Sequence, residues 1–308
     1  MSDVPTLVRS ACARVAERAR HVTIERDAIP ACAAGLPLGE RGPRPDPDAH
    51  LASGTREERA AFWLTLDAIN FGSGWFPTLR KREGRSGYHT VATGIRDRFA
   101  AAGPWSAGEL AAITPSEVAG ALGQDPGHEL MSLFAASLAD LGRHVKGEYD
   151  GRFLNVVEAA DGSAVALAGL LAGWESFADV SSYHGFAVPF YKRAQIAAAD
   201  LADGGVVCWG DGERLTMFAD NLVPHVLRLD GVLRFAPDLV ARIEGEELIE
   251  HGSPEEVEIR ACGLHAVELI AAARPGATAV DVDRLLWSRG GEPRYKSAPR
   301  HRSRTTAY

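Results

Sequence analysis

Asp220 is the carboxylate of this sequence most in need of an explanation. It lies in Leu215-Thr-Met-Phe-Ala-Asp-Asn-Leu-Val-Pro-His225, among Met217, Phe218, Leu222 and Val223. A bare carboxylate in so apolar a stretch is costly, so it must cap a helix, pair with a cation or take part in chemistry. A cation that could meet it is Lys192, in Val188-Pro-Phe-Tyr-Lys-Arg-Ala-Gln-Ile196, far enough upstream for a helix and a return. The chain holds four lysines (Lys81, Lys146, Lys192, Lys296) among 33 basic residues, so 29 are arginines. Such a chain keeps a lysine where a compact ammonium serves better than a planar fork. Lys192 and Arg193 also follow Pro189 at a helix start, where an N-terminus favours anions such as phosphate or carboxylate. The plainer alternative is a solvated lysine at a helix end, as Lys81 and Lys146 read.

A third cluster ends a helix in Leu66-Asp-Ala-Ile-Asn-Phe-Gly-Ser-Gly-Trp-Phe-Pro77. Asp67 and Asn70 are three apart and share a helix face. The glycines let the chain turn so that Phe71 and Trp75 can present flat faces. Hydrogen-bonding groups beside aromatic faces are what a nucleobase pocket needs. The alternative is that Phe71, Trp75 and Phe76 are core and Asn70 a helix C-cap.

Charge is unevenly placed. Over 308 residues the formal net charge is −8, which disfavours nonspecific binding to nucleic acid or an anionic membrane. Residues 289–308 nevertheless carry Arg289, Arg294, Lys296, Arg300, Arg302 and Arg304 against Glu292, a local +5, leaving −13 on the rest. Such a tail is usually solvated or disordered. Mixed with Tyr295, His301 and Tyr308, it also suits docking over one small anion. There is no GxGxxG after a strand, no Walker loop, no GxSxG elbow and no HExxH, which argues against dinucleotide, kinase-like, α/β-hydrolase and zincin chemistry. The ten histidines lack ligand spacing, so no metal is expected.

The elements that must hold these residues are mostly helices. Val8, Ala11, Cys12, Val15 and Ala16 form one face of an amphipathic helix after Pro5. Thr55 with Glu58, Thr114 with Glu117 and Ser253 with Glu256 fit the capping box, and Thr278 with Asp281 is a weaker version. These predict helices near 56–70, 115–122, 254–273 and 279–288. Further helical patterns cover 128–145, 163–177, 190–202, 219–229 and 236–243. Gly35 to Gly54, rich in proline, reads as an irregular loop. Val206–Trp209 and Tyr88–Ala92 are the candidate strands. The expectation is a mainly α, compact protein with few short strands, one domain over 1–308, in two lobes around a cleft. No apolar run is long enough for a membrane span. The start of the sequence does not read as a secretory signal. The four cysteines are scattered, without a CxxC pair, so a reduced, cytoplasmic setting is the default.

Several of these motifs occur together in one family. Asp67-Ala-Ile-Asn-Phe71, Phe153-Leu-Asn155, Phe190-Tyr-Lys-Arg-Ala-Gln-Ile196, Thr216-Met-Phe-Ala-Asp220 with Val223-Pro224, Glu256-Val-Glu-Ile-Arg260 and His301-Arg-Ser-Arg304 resemble the queuosine salvage proteins. The resemblance runs from about residue 60 to Tyr308. It implies a helical fold akin to helix-hairpin-helix DNA glycosylases, and hydrolysis of queuosine 5′-monophosphate to free queuine for tRNA modification. It places Asp220 as the catalytic aspartate and Lys192 as the active-site lysine. Asp67, Asn70, Phe71, Trp75, Arg193, Asp283, His301, Arg302 and Arg304 are the candidate substrate contacts. Asn221 and His225 depart from the Tyr and Gln of the family motif. No cofactor is implied, and the partner is a small nucleotide rather than a membrane or a stable nucleic acid. Two other functions fit less well: a base-excision glycosylase acting on duplex DNA, which the −13 body opposes, and a noncatalytic binder of queuine nucleotides.

Overall fold

The computed structural model describes residues 3–37 and 46–308. Among them the chain forms fifteen α-helices. In order these are α1 (Val4–Ala16), α2 (Ile29–Gly35), α3 (Arg56–Ala68), α4 (Gly87–Ala102), α5 (Ala107–Ala111), α6 (Pro115–Leu122), α7 (Glu129–Glu148) and α8 (Phe153–Glu158). They continue with α9 (Ala164–Ala172), α10 (Lys192–Asp203), α11 (Leu222–Leu229), α12 (Pro237–Glu244), α13 (Pro254–Ala272), α14 (Ala279–Arg289) and α15 (Pro293–Lys296). Four strands pair as two antiparallel ribbons: β1 (Val22–Ile24) with β4 (Leu233–Phe235), and β2 (Val180–Tyr183) with β3 (Phe186–Pro189). The protein is therefore mainly α, as its sequence predicts. Residues 38–45 of the expected proline-rich loop lie outside the described residues.

The caps act where the sequence puts them. Thr55 Oγ1 accepts from the Glu58 amide at 3.2 Å while Glu58 Oε2 accepts from the Thr55 amide at 2.7 Å. The same reciprocal pair starts α6 (Thr114, Glu117) and α14 (Thr278, Asp281), the latter as complete as the others. A further box, Ser106 with Glu109, starts α5. At α13 only half the box forms. Ser253 Oγ accepts from the Glu256 amide at 3.3 Å, but the Glu256 carboxylate turns to the Gly252 amide at 3.0 Å and towards Arg260 at 3.7 Å. A buried guanidinium outcompetes a helix-end amide for that charge.

Both strand expectations are corrected. Tyr88–Ala92 lies inside α4, whose start is capped by Ser86 Oγ accepting from the His89 amide. Aromatic and β-branched residues there serve helix packing, since tertiary context overrides strand propensity. Val206–Trp209 is irregular, anchored by Trp209 Nε1 donating to the Ala198 carbonyl of α10 at 2.6 Å. The hairpin falls at β2–β3 instead, around His184 and Gly185, both at positive φ (43° and 83°). That is the backbone a two-residue turn of right-twisted strands requires.

Helix α13 is the axle of one side of the molecule. It is buried around most of its circumference and packs against α1, α2, α11, α14, β1, β2 and β4. Val8, Cys12 and Val15 of α1 are buried against this core, with Ala11 and Ala16 at its margin. On the other side α3 packs on α4, α7, α8 and α10. The basic tail is ordered between the two. Ser303 and Tyr308 are buried, the Ile249 amide donates to Arg302 O at 2.9 Å, and the Gly72 amide donates to Tyr308 O at 3.0 Å. The tail lies so close to the turn after α3 that a Cβ on Gly74 would stand 2.3 Å from Ser303 O.

Candidate active site

Three segments converge on one place: the C-terminal end of α3, the N-terminal end of α10, and the extended run 215–221 before α11. The last turn of a helix leaves carbonyls without intrahelical partners. Just beyond the end of α3, the carbonyl of Asn70 accepts from Lys192 Nζ at 2.8 Å, and Asn70 Oδ1 accepts from the same ammonium at 3.0 Å. Asn70 Nδ2 donates in turn to Asp67 Oδ1 at 3.1 Å. Lys192 is 5% exposed, and burial pushes its ammonium down to about 8 although Asp220 and Asp67 hold it up. Asp67 is fully buried with Oδ2 unpartnered, and desolvation together with the charge of Asp200 pushes its carboxyl well above the usual range.

Asp220 is partly exposed and capped into place. Its Oδ1 accepts from the Leu222 amide at 2.8 Å and the Val223 amide at 3.2 Å, at the start of α11. The cap and the charged site are thus one residue. The expected direct ion pair with Lys192 does not form. Asp220 is the acid that acts most strongly on Lys192, but the ammonium donates its hydrogen bonds to Asn70, where an orphan carbonyl and an amide oxygen together offer a tighter seat.

The run carrying Asp220 is held atom by atom, as a buried extended backbone must be. Gln195 accepts from the Thr216 amide at 3.0 Å and donates to Thr216 Oγ1 at 3.0 Å and Phe190 O at 3.0 Å. Asp283 Oδ1 accepts from the Phe218 amide at 3.1 Å. Arg260 Nε donates to Ala219 O at 3.0 Å. The same guanidinium grips Asp179 at both oxygens (3.0 and 2.6 Å) and lies between the rings of Phe190 and Tyr308, 3.8 and 4.5 Å from their centroids. Asp179 in turn accepts from the Lys192 amide at 3.2 Å, and its carbonyl takes the amides of Phe190 and Tyr191. This holds Tyr191 at φ +48°, a rare conformation for a side chain with a Cβ. One buried pair, Asp179 and Arg260, therefore sets the backbone of both Lys192 and the residue before Asp220.

The other expected contacts divide. Phe71 is 2% exposed and edge-on to Phe134 at 5.0 Å, which is core packing. Trp75 is buried with Nε1 donating to Glu129 at 2.8 Å. Arg193 is spent inside the protein: its guanidinium lies between Phe71 and Phe177 and donates to the carbonyls of Ala68 and Ser176 and to Ser137. Asp283 positions the 215–221 run, as above. His301 is 1% exposed with neither ring nitrogen partnered, and burial pushes it down to about 3. Arg302 reaches Glu246 at 3.8 Å and Arg304 reaches Glu129 at 3.7 Å. Among the described residues no group of three His, Cys, Asp or Glu side chains is arranged to hold a metal.

Asp179, Gln195 and Arg260 went unread as site residues. Gln195 and Arg260 sit inside the recurring motifs, and Glu256 with Arg260 is an i,i+4 pair of opposite charge, a spacing that brings the two side chains together on one helix face. Asp179, between Ala178 and Val180, carries no local signal.

Fold and site together define a mainly α-helical protein with a carboxylate and a buried lysine at its centre, held by a shared internal ion pair. The family model for the queuosine salvage protein matches residues 50–308, and the chain belongs to that family. A protein of Sphaerobacter thermophilus named queuosine 5′-phosphate N-glycosylase/hydrolase is 36% identical over 309 residues, covering 96% of this chain and 95% of that one. Proteins of the same name from Dictyostelium discoideum (29% over 262 residues, 82% and 79% covered) and Bos taurus (38% over 138 residues, 43% and 40% covered) are also similar.

Proposed function

We propose that this protein hydrolyses the N-glycosidic bond of queuosine 5′-monophosphate and releases queuine, with the whole chain as one catalytic unit whose two helical sides meet at Asp220 and Lys192. The observation that carries the reading is the seat of Asp220, a carboxylate whose Oδ1 is taken by two amides while no hydrogen bond engages Oδ2 among the described residues. Cleavage of an N-glycoside passes through an oxocarbenium-like sugar, and a fixed carboxylate stabilises that cation and accepts a proton from the attacking water. The two amides hold the carboxylate in place, so no reorganisation is needed as charge develops. Lys192 keeps the site cationic beside Asp220 and ties it to Asn70 and Asp67. The leaving base lacks the purine N7, so its developing charge must be met by hydrogen bonds at its other edge. Asn70 and Asp67, pushed towards its neutral form, are the groups nearest to that task. His301, buried with two unpartnered nitrogens, is a further polar contact.

Incubation with queuosine 5′-monophosphate should release queuine, measured by chromatography. Asp220→Asn keeps the shape and one acceptor but removes the charge, and turnover is expected to fall on the order of 10²–10³-fold. Full turnover in that variant would overturn the assignment.

A further inference from the structure

Two cations, rather than one, bear on Asp220. Besides Lys192, Asp220 is the acid that acts most strongly on Arg300 of the C-terminal tail. The backbone on either side of Arg300 is pinned: Arg228 Nη2 donates to Pro299 O at 3.1 Å and Asn221 Nδ2 donates to His301 O at 3.1 Å. Asn221 directly follows Asp220, so this bond ties the segment that carries Arg300 to the backbone next to the carboxylate. The residue is partly buried, and desolvation works against its charge.

The other arginines of this segment are committed. Arg289 binds Asp230 at 2.9 Å, Arg294 donates to Leu229 O at 2.7 Å, Arg302 reaches Glu246, and Arg304 reaches Glu129 and lies over Trp75. Among the described residues no hydrogen bond or ion pair engages the Arg300 guanidinium. Its five donors are not sealed from solvent, so the partly buried fork is open to an anion arriving from the site. Phosphate matches that fork in two parallel bonds.

We propose that Arg300 reads the 5′-phosphate of the substrate. The inference rests on the function proposed above. A nucleotide with its anomeric carbon at Asp220 extends its phosphate across the ribose, and Arg300 then stands between two anions, phosphate and carboxylate, and screens one from the other. Phosphate preference thereby falls to Arg300 rather than to Arg302 or Arg304, whose partners lie elsewhere.

The test compares kcat/KM for queuosine 5′-monophosphate and queuosine in wild type, Arg300→Gln and Arg300→Lys. The wild type should prefer the nucleotide. Arg300→Gln should lower the nucleotide value roughly 10- to 100-fold and leave the nucleoside within a few-fold, and Arg300→Lys should regain part of the preference. Equal loss on both substrates would make Arg300 a counter-charge for Asp220 alone. An unchanged preference, or none in the wild type, would also overturn the proposal. Calorimetry with ribose 5-phosphate separates the two claims. Binding that weakens at least tenfold in Arg300→Gln, in a protein releasing no queuine, would sustain the phosphate site while the glycosidase reading falls. Turnover with binding indifferent to Arg300 would do the reverse.

Discussion

Lys192 carries a charge that the interior disfavours, and its proton has opposite consequences for activity and stability. The ammonium sits near 8 in the folded protein and near 10.5 when exposed. If the cation is the working form, kcat/KM should fall along an alkaline limb near pH 8. Its contribution to stability should move the other way: between about pH 8 and 10.5 Lys192 binds more protons in the unfolded chain and favours folding as pH rises, while the buried thiols of Cys12 and Cys262, pushed up by burial, oppose it from about pH 9. Lys192→Met is expected to lose roughly 10²-fold in rate and to tilt the pH dependence of the urea midpoint there downwards; a midpoint slope unchanged from wild type would refute the placement. At this scale the residue types were legible, because a solitary lysine and an aspartate in apolar sequence both demand partners. Their partners were not. Asp220 was expected to cap a helix, to pair or to do chemistry, and its two oxygens permit more than one of these together.

Among the elements, the Asp179–Arg260 pair decides whether the ends of α10 and α11 stay in register. Arg260→Met leaves Asp179 buried and unpaired and should destabilise the protein by about 3–5 kcal/mol. Far-UV circular dichroism in a urea titration measures this, and a loss under ~1 kcal/mol would show the clamp to be dispensable. Thr114→Ala provides the contrast: losing the α6 cap should cost about 1 kcal/mol with unchanged kcat, since α6 packs chiefly on α4 and α7. Helix starts were legible because a cap is a local contract between residues three apart. The β2–β3 hairpin was not, because its strands are four residues each and its turn relies on His184 at positive φ rather than on an Asn-Gly pair. Tyr88–Ala92 was misread for the complementary reason, that strand-forming side chains also pack well in a buried helix.

For the whole molecule, two buried histidines couple folding to acid. Burial holds His225 at about 4 and His301 at about 3, both neutral in the native state. Unfolded histidine titrates near 6.5, so from there down to about pH 4 the unfolded chain binds more protons and stability falls with pH. The buried Asp67 carboxyl, pushed up, works the other way over the same range, so the test is the difference between proteins: a His225→Gln, His301→Gln double variant as acid-sensitive as wild type from pH 7 to 4.5 would contradict this. The charge distribution makes a second statement at this scale. With a net charge of −8 and Arg289, Arg294, Arg302 and Arg304 already engaged, the protein should not shift duplex DNA even at low salt, whereas a DNA glycosylase would show a salt-sensitive shift.

The sequence by itself determined the helical class, the capped starts and the family, and it singled out the two residues on which the proposed function rests, because each of these is written in local spacing or in a motif. Tertiary structure alone decided what each charge faces. Lys192 turns to Asn70, Arg193 goes inward between two aromatic rings, and Asp283 supports a backbone amide. These outcomes depend on which orphan carbonyls and carboxylates arrive within about 3 Å of a given side chain. That is a property of chain segments far apart in sequence.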